Sequence, residues 1–283
     1  MFFNNFGGFI RDGAMLFGSL FDERLEYNVG LFDSLPLNTA SRFFGQGKYA
    51  NLIALLDSRP FGQSGNPALE HLHIGGSVMA GARNASPFPQ VFWSILPSGS
   101  RAGFGTPFLS LNNNVREMGN QVLATMHAAY YYRQLSLIGE WQGGFVDYGV
   151  QNRPGLVRVP IGGFYVQAGY FLTGEQVVRR DVVEPLRPLD LRPGHFGLGA
   201  WELAARYNLL QFGNQVFTGG LADPNLWTDS VQTIDLGLNW YWNRHIKAMF
   251  DWQHAMLGSP IIFSPGRFHG IGDTFVFRVQ IWF

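Results

Sequence analysis

The last eleven residues, Asp273-Thr274-Phe275-Val276-Phe277-Arg278-Val279-Gln280-Ile281-Trp282-Phe283, decide how the rest of the chain is interpreted. From Phe283 back to Phe275 every second residue is apolar, and Thr274, Arg278 and Gln280 lie in the other row. A period of two predicts a β-strand with two unlike faces. Such a strand suits a soluble sandwich, with its apolar face on a core. It also suits a membrane barrel, with that face on lipid and the polar face on a lumen.

The composition narrows this choice. The chain of 283 residues is 46% hydrophobic and 16% aromatic, and only 14% of it is charged, against roughly 25% in soluble domains. No run approaches the ~18 consecutive apolar residues of a membrane helix, so a bilayer location requires a closed β-barrel. The balance of 20 basic and 20 acidic residues argues against a nucleic-acid partner. There is no cysteine, which removes disulfides and thiolate metal sites.

Ten further stretches alternate apolar and polar residues in the same way. They are 13–21, 25–33, 47–57, 69–83, 119–132, 135–148, 158–173, 198–208, 231–242 and 245–256. Short polar turns at 22–24, 133–134 and 243–244 predict hairpins that share one end of the sheet. The longer connections 84–118, 209–230 and 257–270 then fall at the other end.

Two long connections, 58–68 and 174–196, lie at the short-turn end and break this rule. We expect 174–196 to fold back into the lumen. The longest irregular stretch, 84–118, is rich in aromatic residues, and loops of this length in compact folds are usually functional or disordered. We therefore predict that 84–118 is a packed loop on the extracellular side.

These features predict an all-β fold, a transmembrane antiparallel β-barrel that occupies residues 1–283 as one domain. Eleven strands do not close antiparallel, and an open edge in lipid leaves unpaired backbone groups that cost several kcal/mol each. We expect a preceding N-terminal portion with a signal peptide and further strands. The alternative is that residues 1–10 supply a twelfth strand.

Several stretches resemble the phosphate-selective porin O and P family. They are YFLTGE at 170–175, GAWELAARY at 199–207, LGLNWYWN at 236–243 and FVFRVQIWF at 275–283, with RDGAMLFGSLFDERLEYNVGLFDS at 11–34 similar to the middle of that family. The resemblance implies a 16-stranded, trimeric channel of the bacterial outer membrane for phosphate or polyphosphate, which needs no cofactor. The chain would hold strands 6 to 16, and a full arginine ladder is not matched. The resemblance further implies that 84–118 is the fifth extracellular loop, which helps to constrict the pore.

The resemblance also implies partners. We expect outer-membrane lipid, small anions, a homotrimer and the barrel-assembly machinery. The C-terminal apolar row is expected to act as the assembly signal; its members are Phe275, Phe277, Val279, Ile281 and Phe283.

A phosphate channel needs guanidinium or ammonium donors at a narrow waist. The candidates for contact with an anion are Arg83, Arg101, Arg116, Arg206, Lys247 and Arg278. The alternative interpretation is that the strand-borne cations are ordinary lumen charges paired with Glu202, Asp235 and Asp251. Arg101 lies within the predicted constriction loop, which is where selectivity groups are found in channels.

Two other clusters allow two interpretations each. His71, His73 and His127 have the spacing of a three-imidazole metal site, but we favour lumen-lining histidines with no carboxylate partner and no metal. The arginines within 179–192 suit an anion relay, but three acidic residues lie among them. A solvated loop is therefore favoured for 179–192.

The predicted function is passive diffusion of small hydrophilic solutes, with anions favoured. A non-conducting barrel that is plugged by 84–118 and serves adhesion or structure is the alternative. An enzyme is not expected, because no GxSxG, P-loop or HExxH motif occurs. A barrel phospholipase would need a serine beside His254 on the outer face, and no strand carries one there.

Overall fold

The computed structural model describes residues 13–33, 50–83, 91–94, 105–264 and 266–282. Strands and turns account for nearly all of them. The strands are β1 Gly13–Leu20, β2 Leu25–Asp33, β3 Ala50–Ser58, β4 Leu72–Arg83, β5 Val91–Trp93, β6 Pro107–Ser110, β7 Val115–Tyr132, β8 Leu135–Val150, β9 Leu156–Phe171, β10 Asp190–Arg192, β11 His195–Gly197, β12 Ala200–Phe212, β13 Ser230–Asn243, β14 Ile246–Ser264 and β15 Arg267–Ile281. A single helical turn, α1, covers Gln215–Thr218.

Eleven of these strands form one antiparallel sheet in chain order, β1-β2-β3-β4-β7-β8-β9-β12-β13-β14-β15. Each of the predicted strand stretches overlaps one of these strands, and each strand pairs with its neighbour along the chain. β5–β6 and β10–β11 are separate small hairpins inside the connections 84–118 and 174–196. Within the described residues β1 and β15 have one neighbour each. Residues 1–10, the alternative twelfth strand, lie outside the described residues.

The predicted loop 257–270 is instead mostly strand. β14 continues to Ser264, and β15 begins at Arg267. The Gly-Ser-Pro stretch 258–260 that indicated a loop lies where the register shifts between Met256 and Ile261. A bulge accommodates proline and glycine without ending a strand, so the turn signal here marks an irregularity within a long hairpin.

The register gives the sheet two unlike faces. Large apolar side chains stand exposed on the outer face, in a continuous set that includes Met126, Trp141, Val166, Leu203, Leu236, Phe250 and Phe277. The inner face holds polar and charged side chains, among them His127, Glu140, Tyr165, Arg206, Asp235 and Gln253. An apolar surface this extensive is not stable in water and requires a lipid or protein partner.

Aromatic side chains gather near the short-turn end of the outer face. The Trp201 and Trp240 rings stack at 4.9 Å between centroids. Both indole N–H groups donate to the Leu198 carbonyl, at 3.1 and 2.7 Å. Tryptophan with an apolar body and a satisfied polar tip is typical of a membrane interface.

The described part of 84–118 packs over the inner face near the long-connection end. Phe92 and Phe108 are fully buried, and both contact Phe212 of β12, with centroid separations of 4.7 and 6.1 Å. The Thr228 N–H donates to the Phe108 carbonyl at 3.0 Å. Its aromatic residues therefore hold this segment inside the sheet.

Among the described residues, no helix has the length and apolar character needed to cross a bilayer.

Candidate functional site

The connection 174–196 turns back over the inner face, as expected. The Val177 N–H donates to the Arg133 carbonyl at 2.7 Å, and the Leu189 N–H donates to the Trp242 carbonyl at 2.7 Å. Between these points Val177 and Val183 pack against an inner-face cluster made of Phe171, Ala200 and Tyr241. The segment is therefore anchored to the sheet by both backbone and apolar contacts.

Glu175 fixes the internal shape of this connection. Its buried carboxylate accepts a hydrogen bond from the Leu186 N–H at 3.1 Å and another from the Thr173 hydroxyl. The Thr173 hydroxyl oxygen accepts in turn from the Trp201 N–H at 3.0 Å. Because burying an unpaired carboxylate is costly, these donors favour one geometry of the connection.

A cavity of about 430 Å³ lies between the connection and the inner face. Its charged lining residues are Arg179, Arg180, Asp181, Glu202, Arg206, Asp235, Lys247 and Asp251. Tyr131 of β7 and Asp251 of β14 both line it, although five strand spacings of ~4.8 Å separate these strands along the sheet. The sheet therefore curves around this space.

Some of the charges are neutralised locally. Arg206 Nε lies 3.3 Å from Asp235 Oδ2, and Asp235 also accepts from Asn208 at 2.7 Å and from Gln253 at 2.6 Å. On the connection, Arg179 contacts Asp181 at 2.7 Å. The Val182 N–H, together with the Arg179 guanidinium, lowers the pKa of Asp181 below its ordinary value of 3.8. The predicted pairing of lumen cations with acidic residues therefore holds for Arg206, whose partner is Asp235.

Three cations near the cavity have no ion-pair partner among the described residues: Arg180, Lys247 and Arg278. Lys247 Nζ donates to the Tyr241 hydroxyl at 3.0 Å, and Arg278 donates to the Gln280 side-chain oxygen at 3.0 Å.

Glu202, which was expected to pair with a cation, instead accepts from the Tyr241 hydroxyl at 2.8 Å and from the Asn239 amide at 2.9 Å. The interpretation that strand-borne cations of the lumen pair with acidic residues is therefore wrong for Lys247 and Arg278. No pattern in the sequence indicates that the Tyr241 hydroxyl contacts both Lys247 and Glu202.

Arg116, another predicted anion contact, does not line this cavity. Arg116 lies between Val115 and Glu117, both buried, and donates to the carbonyls of Asn113 at 2.7 Å and of Val115 at 2.8 Å. Arg83 ends β4 opposite Gly119, and its side chain is outside the described residues. Arg101 and Phe283 also lie outside them.

The histidines form a different arrangement from the one predicted. Asp57 of β3 bridges two of them, with His73 Nδ1 at 2.7 Å and His127 Nε2 at 3.0 Å from its carboxylate. The expectation that they lack a carboxylate partner is therefore wrong. His71 precedes β4, and its carbonyl accepts from the Tyr131 N–H. The described residues hold no group of three or more metal-binding side chains placed for an ion.

His254 lies on the outer face, as predicted, where its Nδ1 is 2.9 Å from Asp273. The Trp252 indole donates to the same carboxylate at 3.0 Å. Among the described residues, the hydrogen-bond partners of this pair include the Trp252 indole and no serine hydroxyl.

One large antiparallel sheet with an apolar outer face and a charged inner face has the features of an outer-membrane channel protein. The chain belongs to the phosphate-selective porin O and P family, whose model matches residues 111–255. Members of this family form channels in the bacterial outer membrane, so the chain is an outer-membrane protein and not an enzyme.

Porin O of Pseudomonas aeruginosa is a relative, 27% identical over 121 residues, which are 43% of this chain and 26% of Porin O. The match thus spans about a quarter of that relative's length. A solved structure of OmpT, an outer membrane protein of Vibrio cholerae, aligns with a TM-score of 0.46 and 6% identity. The alignment covers 95% of this chain and 64% of OmpT.

Proposed function

We propose that this chain forms most of a closed outer-membrane β-barrel through which small hydrophilic solutes diffuse passively, with small anions such as phosphate or polyphosphate the favoured class. The contrast between the two sheet faces is the observation that carries this proposal. Lipid accommodates the exposed apolar side chains of the outer face, and water accommodates the charges of the inner face.

Closure follows from the chemistry of the sheet edges. β1 and β15 each present an unpaired edge among the described strands. In hydrocarbon such an edge leaves N–H and C=O groups without partners, at a cost of several kcal/mol each. We therefore propose that further strands complete a barrel of 16 and that the barrel assembles as a homotrimer. The C-terminal apolar row would be recognised by the barrel-assembly machinery.

Two observations support anions as the favoured solute. Lys247 and Arg278 project from the inner face without an acidic partner, and the family is described as phosphate-selective. A guanidinium or ammonium group that no carboxylate occupies remains available to a passing anion. Arg83, Arg101, Arg116 and Arg206 remain proposed contacts elsewhere along the path.

The connection 84–118 is proposed to narrow this path. Its described part already packs over the inner face through Phe92, Phe108 and Leu109, which are fully buried. A loop anchored in this way reduces the cross-section of the channel at its extracellular end. It leaves the charged part of the inner face near the short turns uncovered.

Planar-bilayer recording tests the proposal. Purified protein should produce ohmic conductance steps in potassium chloride, and the reversal potential in a salt gradient should show anion preference. Added phosphate should reduce the chloride current by competing for the same cations. A folded, membrane-inserted protein that produces no steps would instead support the plugged barrel with an adhesive or structural role.

A further inference from the structure

One carboxylate joins two imidazoles on the inner face of the sheet. Asp57 of β3 lies beside Gly75 of β4, with Oδ2 2.7 Å from Nδ1 of His73 and Oδ1 3.0 Å from Nε2 of His127. We call the side chains of Asp57, His73 and His127 the imidazole cluster. They are 18%, 17% and 22% exposed, so protons can reach them from a water-filled lumen.

The two hydrogen bonds define which ring nitrogens remain free. An ionised carboxylate only accepts hydrogen bonds, so His73 donates from Nδ1 and His127 donates from Nε2. The other nitrogens, Nε2 of His73 and Nδ1 of His127, have no hydrogen-bond partner among the described residues. A proton that binds to either of them leaves both bonds to Asp57 intact. The imidazole cluster can therefore change from a net negative to a net positive charge without rearranging.

Histidine is the side chain whose ordinary charge change falls between pH 5 and pH 8. The chain has seven histidines, and His73 and His127 are the two that share an inner-face carboxylate. The other five lie before β4, on β11, in the turn after β13, on the outer face of β14 and near the start of β15. They are His71, His195, His245, His254 and His269.

Fixed charges lie next to the imidazole cluster on the neighbouring strands. Glu26 of β2 is the register partner of Asp57, and Glu140 of β8 is the register partner of His127. Arg59 follows β3, and its guanidinium donates to a carbonyl of the first turn at 2.9 Å. Carboxylate and guanidinium groups ordinarily keep their charge between pH 8 and pH 5.

Two further groups approach from β7 and from the connection 174–196. The Tyr131 ring meets the His73 ring edge-on, at 6.0 Å between centroids. Arg180 and Tyr131 line the same cavity. A phenol ordinarily stays neutral and a guanidinium stays charged in this pH range. The change in charge of this part of the wall is therefore carried by the imidazoles.

We propose that the imidazole cluster makes the ion selectivity of the channel depend on pH, with acidification from pH 8 to pH 5 increasing the preference for anions. The inference rests on the proposed channel function and adds its regulation. Two positive charges added to a lumen wall attract anions and repel cations that pass within several ångströms. Because Asp57 holds both rings, the added charges stay on the inner face.

Planar-bilayer recording under a potassium chloride gradient tests the proposal, because neither ion titrates in this range. Between pH 8 and pH 5 the chloride-to-potassium permeability ratio of the wild type should rise by ~2–5-fold, the effect expected of two unit charges acting through water. His73→Gln and His127→Gln should each reduce this rise, and the double variant should remove most of it. Glutamine is chosen because its amide can still donate to Asp57.

Two control variants remove other histidines. His254→Gln breaks the same kind of pair on the outer face, where His254 lies 2.9 Å from Asp273. His71→Gln removes the histidine nearest to His73 along the chain. Both controls should retain most of the wild-type response to pH.

The outcomes separate this inference from the function on which it rests. A wild type without conductance at either pH would overturn the channel and the inference together. Conductance with an unchanged permeability ratio between pH 8 and pH 5 would overturn only the inference. A full response in both single variants, or an equal loss in either control, would also overturn it. If the double variant does not insert, the single variants that still produce conductance steps decide the question.

Discussion

The Asp57 carboxylate and the His127 imidazole meet across an intervening strand, with Oδ1 of Asp57 3.0 Å from Nε2 of His127. Asp57 is on β3 and His127 is on β7, and both are register partners of Gly75 on β4. The contact exists because Gly75 has no side chain between them. A Cβ at Gly75 would lie 2.7 Å from Cε1 and 2.8 Å from Nε2 of His127.

Gly75→Ala should therefore destabilise the protein by about 1–3 kcal/mol, the usual cost of overpacking a filled site. The added methyl group would meet the His127 ring and the Leu56 carbonyl, and neither has room to withdraw without disturbing the sheet. Urea unfolding in detergent micelles or vesicles would measure the loss. Gly139→Ala is the control, because its nearest neighbour would be the Tyr165 carbonyl oxygen at 3.9 Å. Equal stability of the two variants would contradict the packing argument.

Val177→Asp should detach the connection 174–196 from the inner face and increase single-channel conductance. Val177 packs against the cluster of Phe171, Ala200 and Tyr241, and a carboxylate buried there without a partner costs several kcal/mol. The adjacent Val178 is 48% exposed, so Val178→Asp should leave conductance unchanged. If both variants conduct as the wild type does, the connection does not obstruct the path.

Leu203→Arg tests the orientation of the outer face. Leu203 is half exposed on β12, and an arginine facing the middle of a bilayer costs ~2–4 kcal/mol in a barrel. Unfolding of the variant in lipid vesicles should show that loss. Leu191→Arg serves for comparison, because Leu191 is 72% exposed on the β10–β11 hairpin, away from the main sheet. A neutral effect of Leu203→Arg would mean that this face contacts water.

Asp190 provides a pH-dependent prediction outside the main sheet. The Arg192 side chain first, and then the Arg192 backbone N–H, lowers the pKa of Asp190 from 3.8 to about 2. Because this pKa is lowered on folding, the pair stabilises the hairpin above the ordinary value, and that stabilisation is lost as the pH falls from 3.8 toward 2. The Arg192 side chain is largely exposed and the Asp190 side chain is partly exposed, so the effect on global stability is small.

Arg192→Gln should move the pKa of Asp190 part of the way back toward 3.8, with the backbone N–H retaining the remainder. A carboxyl-carbon NMR titration of labelled protein would follow it. Arg187→Gln, on the same connection, should leave the pKa of Asp190 at about 2. A wild-type value near 3.8 would mean that the pair does not form in solution.

The alternation of side chains was sufficient to predict the eleven strands and their faces. A strand exposes every second residue to one environment, and a shift by one residue would reverse the whole row. The row from Phe275 to Ile281 is exposed and apolar, as predicted, and Arg206 shares its face with Asp235. Strand ends were less predictable where glycine and proline occupy a bulge, as at Gly258 and Pro260.

The amino-acid sequence by itself determined the strand order, the register-dependent separation of apolar and polar faces, and membership of a porin family, because these follow from periodicity and local motifs. Only the tertiary structure decided which charges remain unpaired. Asp57 reaches His127 across two strand spacings, and Val177 and Val183 of the connection 174–196 pack against Phe171 and Tyr241 of the inner face. Contacts between residues distant along the chain depend on sheet curvature and on how connections fold back, and neither has a local signal.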